Sequence, residues 1–136
     1  MNRYVTDTHA LIWHLTEDER LSLTCRTAFA CADSAEAQIW IPAIVLVEVI
    51  YLAEKSRVPS NLVERMLDAV TPPRFGYSVA ALDVNVARNL IQIPRDVVPD
   101  MPDRIIAATA LTLGAPLLTK DSKIRAVPGL STIWDS

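Results

Sequence analysis

Short apolar runs alternate along this chain with longer segments in which apolar residues recur at helical spacing. The short runs are rich in apolar and β-branched residues, which is typical of strands in a buried sheet. The predicted strands span residues 3–6, 38–41, 75–79, 115–119 and 132–134.

The segments between these runs are predicted to be helices. They span residues 9–15, 21–32, 42–55, 59–70, 83–91 and 103–113. Three of them have apolar faces, formed by Leu21, Cys25, Ala28, Phe29 and Ala32, by Leu62, Met66, Leu67 and Val70, and by Val86, Ala87, Leu90 and Ile91. Asp83 is a predicted N-cap, and Gly114 suits the position just after a helix. Residues 71–73 should stop the fourth helix, and three prolines predict a loop over residues 93–102.

Strands that alternate with helices predict an α/β fold in which helices cover both faces of a mostly parallel sheet. The chain has no internal repeat, low-complexity tract or credible linker. We therefore expect a single domain over residues 1–136.

The composition supports a globular protein, since 51% of the residues are hydrophobic and 21% are charged. The longest apolar stretch, residues 39–53, is too short for an easy membrane span and contains Glu48. Cys25 and Cys31 would lie about 240° apart around a helix and could not form a disulfide there. With no signal peptide in the sequence, we expect a soluble, cytoplasmic protein in a reducing compartment.

Two aspartates follow predicted parallel strands directly. Asp7 ends the first strand and Asp121 comes just after the fourth. Ligands of open α/β sheets bind outside the carboxyl ends of the strands, so the two carboxylates could share one crevice. Each could equally be a helix cap or turn residue.

Glu48 and Asp103 add two further carboxylates. Glu48 is the single charged residue of 41–53, a helix so apolar that it should be mostly buried, and a buried carboxylate needs a partner. A solvated strip or a salt bridge to arginine would also explain Glu48. Asp103 opens a helix whose small residues would let it pack close to the sheet, although a first-turn aspartate is also favoured by the helix dipole alone. Asp100 is the better N-cap candidate.

Four converging carboxylates would repel one another unless a cation neutralised them. Oxygen ligands suit Mg²⁺ or Mn²⁺, whereas zinc prefers histidine or cysteine, and His9 and His14 have no zinc-type spacing. The formal net charge is −3, but without these four acids the 13 basic residues face 12 acidic ones. The charge balance is therefore compatible with a nucleic-acid substrate without predicting one.

In this arrangement the chain resembles the PIN-domain family, and within it the VapC-type toxins of toxin–antitoxin pairs. Four acidic motifs carry the resemblance in order: residues 5–13 around Asp7, 41–48, 99–110 and 117–121. Each motif alone is weakly specific, whereas four in order at suitable spacing are strongly so. The resemblance covers essentially the whole chain.

The resemblance implies a three-layer α/β/α fold and a Mg²⁺-dependent endoribonuclease with catalytic, metal-binding carboxylates. Asp7 and Asp103 would be the primary ligands, and Glu48 and Asp121 would complete the pocket directly or through water. Thr119 would hold Asp121 or a water, and Asp100 would lie behind the ligands. Basic side chains near the pocket rim could hold the RNA backbone, the candidates being Arg95, Arg104, Lys120, Lys123 and Arg125. A cognate antitoxin and a homodimer, joined through exposed apolar residues of the early helices, are also implied.

Other functions fit the sequence less well. A haloacid-dehalogenase phosphatase needs a second aspartate two residues after the first, and His9 stands there. A receiver domain needs adjacent acids after its first strand, and three glycines are too few for Walker or Rossmann motifs. The alternative that stays open is a PIN-like module that binds RNA or protein with weak or no catalysis.

Overall fold

The computed structural model describes residues 2–72 and 76–136. Five strands are present: β1 (Asn2–Thr6), β2 (Ala37–Pro42), β3 (Tyr77–Ala80), β4 (Leu117–Leu118) and β5 (Thr132–Ile133). The helices are α1 (Thr8–Leu15), α2 (Leu23–Asp33), α3 (Ala43–Glu54), α4 (Asn61–Val70), α5 (Val84–Asn89), α6 (Met101–Leu113) and α7 (Ser122–Arg125). A 3₁₀ turn at Leu90–Gln92 follows α5.

The strands form one parallel sheet in the order β3-β2-β1-β4-β5. β1 lies in the centre, where Val5 pairs with Trp40 on one side and with Leu117 on the other. Helices flank the sheet, so the predicted three-layer α/β fold is confirmed. Because β1 and β4 are neighbours, their carboxyl ends meet at one edge of the sheet.

The core consists of apolar side chains that the sheet and the surrounding helices enclose. Val5, Ile39 and Leu117 are fully buried on the three central strands. Every residue of the predicted apolar face of α2 is buried. On α6, Ala107 and Ala108 have no solvent exposure, and these small side chains let the helix pack close to β1.

Several boundaries differ from the sequence prediction by a few residues. α6 begins at Met101, because Pro102 fits the first turn, where a missing N–H is harmless. α4 begins at Asn61 rather than Pro59, and Pro42 ends β2 instead of opening α3. Only two residues of the predicted strand 115–119 pair as β4. Pro73, part of the predicted helix stop, and Phe75, the predicted start of the third strand, lie outside the described residues.

The expectation that α3 is mostly buried is wrong. Only Val45 and Val49 of this helix are buried, while Val47 and Tyr51 are 47% and 59% exposed. The predicted apolar faces of α4 and α5 are also incomplete, since Leu67 and Ile91 are exposed. Apolar periodicity therefore overestimated burial on these helices. None of the helices in the described ranges is long and apolar enough to cross a membrane.

Candidate active site

Asp7 lies where β1 gives way to α1. Its backbone N–H donates to the carbonyl of Leu118 at 3.2 Å, which fixes it beside the end of β4. Its Oδ1 accepts a hydrogen bond of 2.8 Å from the N–H of Ala10, so the side chain caps α1. Burial raises the pKa of this carboxyl, and interactions with Thr119, Ala10 and His9 only partly oppose the shift. Asp7 is thus both a helix cap and a buried acid.

Asp121 lies beyond the end of the neighbouring strand β4. Its Oδ1 accepts hydrogen bonds from the N–H groups of Lys123 at 2.8 Å and Ile124 at 3.0 Å, which caps α7. The buried Thr119 accepts a hydrogen bond of 3.1 Å from the Asp121 N–H through Oγ1. The hydroxyl two residues before the acid therefore fixes the turn that presents Asp121.

Glu48 reaches the same edge of the sheet from the second turn of α3. It is half-buried, and its Oε1 accepts a hydrogen bond of 2.5 Å from the hydroxyl of Thr8, the residue that follows Asp7. The predicted alternatives for Glu48 were a solvated strip or a salt bridge to arginine. Its hydrogen-bond donor is a threonine on α1, and among the described residues Glu48 has no salt bridge to arginine.

Asp103 occupies the first turn of α6, and Asp100 precedes it as the N-cap. Asp100 Oδ2 accepts a hydrogen bond of 3.3 Å from the Asp103 N–H. Burial raises the pKa of Asp103 to about 7, and the negative charges of Asp100, Asp121, Glu48 and Asp7 add to the shift. The carboxyl of Asp103 therefore lies close enough to the other acids for their charges to raise its pKa.

These four acids line one cavity of about 530 Å³. The remaining lining residues are Thr8, His9, Trp13, Arg20, Lys120 and Ser122. A second cavity of similar volume lies near His14 and Arg65 and contains none of the four. The four carboxylates come from distant segments of the sequence. They lie together around one cavity, as the sequence predicted.

Comparison with known proteins assigns the family. The family model of the PIN domain matches residues 4–130. The chain belongs to the PIN-domain family.

Individual relatives resemble this PIN domain over nearly its full length. Ribonuclease VapC22 of Mycobacterium tuberculosis is 29% identical over 136 residues, which are 98% of this chain and all of the relative. Among solved structures, DNA-bound VapBC from Salmonella typhimurium matches with a TM-score of 0.73 at 22% identity, covering 98% of both chains. VapBC2 from Rickettsia felis, bound to promoter DNA, matches with a TM-score of 0.72 at 19% identity, covering 98% of this chain and 99% of the other. At such identities the structures establish the shared fold.

The donor set of this PIN domain suits a hard divalent cation. Carboxylate oxygens are the ligands that Mg²⁺ and Mn²⁺ prefer. Burial and then the neighbouring carboxylates raise the pKa of Asp103, and a bound cation would offset the negative charges. Over residues 2–72 and 76–136, no three histidine, cysteine, aspartate or glutamate side chains are grouped tightly enough to enclose a metal ion. Mg²⁺ does not require such a cage, since it keeps several waters and is usually held by one or two carboxylates. The residues therefore fit the ion.

Of the basic residues predicted to hold substrate, Lys120 lines the cavity and Arg95 and Lys123 do not. Arg104 does not line the cavity either, and its role in holding substrate stays a prediction. Its guanidinium donates to the carbonyls of Ile93 at 2.9 Å and Leu90 at 3.0 Å, so it ties the 3₁₀ turn to α6. An arginine beside an acidic motif suggested a substrate contact, but in this structure the two carbonyls accept hydrogen bonds from its guanidinium.

Four cavity residues with polar or charged side chains were missed by sequence reasoning: Thr8, His9, Arg20 and Ser122. Thr8 and His9 had a usable signal, because they follow Asp7 directly in the first motif. Arg20 had none, because it lies in a polar stretch and reaches the cavity only through the turn between α1 and α2.

Proposed function

We propose that this PIN domain is a Mg²⁺-dependent endoribonuclease and the toxin of a toxin–antitoxin pair. The observation that carries the proposal is the convergence of Asp7, Glu48, Asp103 and Asp121 on one cavity at the carboxyl ends of β1 and β4. The similarity to a protein named Ribonuclease VapC22 supports RNA as the substrate. We propose that the protein acts in the cytoplasm, where it would encounter RNA.

The chain's own groups would divide the work by position. Asp7 and Asp103 would hold the cation, while Glu48 and Asp121 would orient water and complete the negative pocket. A bound divalent cation supplies a water of lowered pKa and neutralises phosphate charge. Thr8 holds Glu48, and Thr119 holds the turn of Asp121, so the carboxylates keep their directions while the RNA backbone enters. Hydrolysis of this kind would leave a 5′-phosphate and a 3′-hydroxyl.

An antitoxin is the proposed protein partner. One solved structure that shares this fold is a toxin–antitoxin complex from Klebsiella pneumoniae, with a TM-score of 0.66. An antitoxin segment with an arginine could pair with the carboxylates of the cavity and so block it. Co-expression with the antitoxin should relieve growth arrest caused by the chain alone.

A homodimer is the second proposed assembly. Exposed large apolar side chains occur on α3, at Val47 and Tyr51, and around α5, where Val84 and Ile91 are 67% and 80% exposed. The mass in solution should be that of two chains, and Tyr51→Asp and Ile91→Asp ask which surface joins them. A wild-type chain of monomer mass would exclude the dimer.

RNA cleavage with matched controls tests the catalytic proposal. The purified chain should cleave RNA with Mg²⁺ and lose this activity with EDTA or with Asp7→Asn. Asp68→Asn, an exposed acid on α4, is the matched control and should cleave as the wild type does. Identical, metal-independent traces for all proteins would reject the nuclease and favour a PIN-like binding module. If the wild type cleaves RNA, sequencing the RNA ends after brief induction would identify the cleavage site.

A further inference from the structure

The acidic cavity poses an electrostatic problem for the proposed substrate. RNA carries one negative charge per phosphate, and four carboxylates already line the cavity. A bound cation offsets only part of this charge. Nucleic acids are generally held by lysine and arginine beside the phosphates, so a cleaving site needs positive side chains close to its carboxylates. Two lining residues carry such a permanent charge: Arg20 and Lys120.

Both cations lie over the same indole ring. The Arg20 Cζ is 4.9 Å from the centroid of the Trp13 ring, and the Lys120 Nζ is 5.9 Å from it. Both distances are within the range of cation–π attraction. Trp13 itself is only 8% exposed, so it acts as a fixed platform rather than as a surface on which a base could stack.

Arg20 is also oriented by Asp18. Asp18 accepts hydrogen bonds from Arg20 Nε at 3.0 Å and Nη2 at 2.7 Å, while the arginine side chain stays 63% exposed. Over residues 2–72 and 76–136, Nη1 of Arg20 has no hydrogen-bond acceptor. One edge of the guanidinium is thus anchored and another faces solvent, which suits an anion arriving from outside. Lys120 directly precedes Asp121 and is exposed.

We propose that Arg20 and Lys120, docked on Trp13, bind backbone phosphates of single-stranded RNA beside the scissile phosphate. This inference rests on the proposed nuclease function and adds the way in which the acidic cavity holds its polyanion. Arginine and lysine contacts to phosphates carry no sequence information directly, so the site would grip RNA irrespective of sequence. Specificity would then come from other contacts.

A binding assay tests this proposal separately from cleavage. The probe is a fluorescently labelled twelve-nucleotide oligouridylate, and anisotropy is measured over a salt series with Mg²⁺. All proteins carry Asp7→Asn, which prevents cleavage under the proposed mechanism and keeps a side-chain acceptor for the cap of α1. The variants are Arg20→Ala, Arg20→Gln and Lys120→Ala. The exposed Arg57→Ala and Lys55→Ala, which lie outside the cavity lining, are the matched controls.

We expect each cavity variant to bind about tenfold more weakly, since charged hydrogen bonds to phosphate are lost. The negative slope of log affinity against log salt should also become shallower, by about 0.7 for each lost phosphate contact. The two controls should keep both values. Unchanged affinity and slope in the cavity variants, equal losses in the controls, or no binding by the parent would each overturn the proposal.

These outcomes are distinguishable from failure of the nuclease proposal. A wild-type chain that cleaves RNA while Arg20 and Lys120 are dispensable for binding rejects only this inference. A chain that cleaves nothing but binds the oligouridylate through these residues rejects only catalysis. Thermal unfolding of every variant checks that a loss of binding is not a loss of fold.

Discussion

The hydroxyl of Thr8 on α1 donates a hydrogen bond of 2.5 Å to Glu48 on α3, across 40 residues of sequence. Thr8 follows Asp7, so one hydrogen bond couples the acid from β1 with the acid from α3. Glu48 is half-buried, and its carboxylate would otherwise turn freely about its side-chain bonds. The orientation of Glu48 in the cavity therefore depends on a residue outside the acidic set.

Replacing Thr8 with valine should slow RNA cleavage by about tenfold or more. A residue that hydrogen-bonds a metal ligand typically contributes that much to metal affinity or activity. The midpoint of the Mg²⁺ dependence should shift to higher concentration in the same variant. Thr8→Ser keeps the hydroxyl and should restore both quantities, and Thr27→Val on the exposed side of α2 is the matched control. Wild-type rate and midpoint in Thr8→Val would contradict the role given to this hydroxyl.

The sequence predicted the parts of the fold and site that depend on local order along the chain. Alternating strands and helices sufficed for the parallel sheet, and the position of Asp7 and Asp121 after strands sufficed to bring them together. The exposure of α3 was not predictable, because the sequence of this apolar helix does not indicate which of its residues face the core and which face solvent. The position of Arg20 depends on a turn, and that of Arg104 on two carbonyls, neither of which has a sequence pattern.

Removing the charge of Asp103 should stabilise the metal-free protein. Burial and the neighbouring carboxylates raise the pKa of Asp103 to about 7, so its ionised form destabilises the folded state at pH 8. Unfolding measured in EDTA at pH 8 should give Asp103→Asn on the order of 2 kcal/mol more stability than the wild type. Asp68→Asn, an exposed carboxyl on α4, should leave stability within about 0.5 kcal/mol.

Mg²⁺ should reduce this difference in stability. A ligand that binds only the folded state stabilises it, so the wild type should gain melting temperature with Mg²⁺. Asp103→Asn should gain less, because it lacks one of the proposed ligands. Equal gains in both proteins would argue against Asp103 as a ligand, and Asp100→Asn then tests the other acid of that motif.

Arg104 should matter for stability rather than for substrate binding. Its guanidinium donates hydrogen bonds to the carbonyls of Leu90 and Ile93, so Arg104→Ala should destabilise the fold by about 1–3 kcal/mol. Arg88→Ala, an exposed arginine on α5, should change stability by less than about 0.5 kcal/mol. Chemical denaturation measures both. If Arg104→Ala keeps the stability of the wild type but binds RNA poorly, Arg104 contributes to substrate binding instead.

A polar cluster away from the active site joins α1, α2 and β3. The ring of His14 stacks on Phe29 with centroids 4.4 Å apart, and its Nε2 lies 3.3 Å from Asp33. Tyr77 on β3 donates a hydrogen bond to the same Asp33 carboxylate. The contact with Asp33 favours a protonated histidine, but burial is the larger effect and lowers the pKa of His14, with Arg65 adding to the shift.

Stability should therefore depend on pH through His14. The folded state favours the neutral ring, so below the unfolded pKa of 6.5 the unfolded chain takes up a proton first and the protein loses stability. His14→Gln removes this dependence, so the unfolding free energy of the wild type minus that of the variant should decrease from pH 7 to pH 5. Urea denaturation at several pH values measures the difference, with the exposed His9→Gln as control. A difference that stays constant or grows as the pH falls would mean that the Asp33 contact outweighs burial at His14.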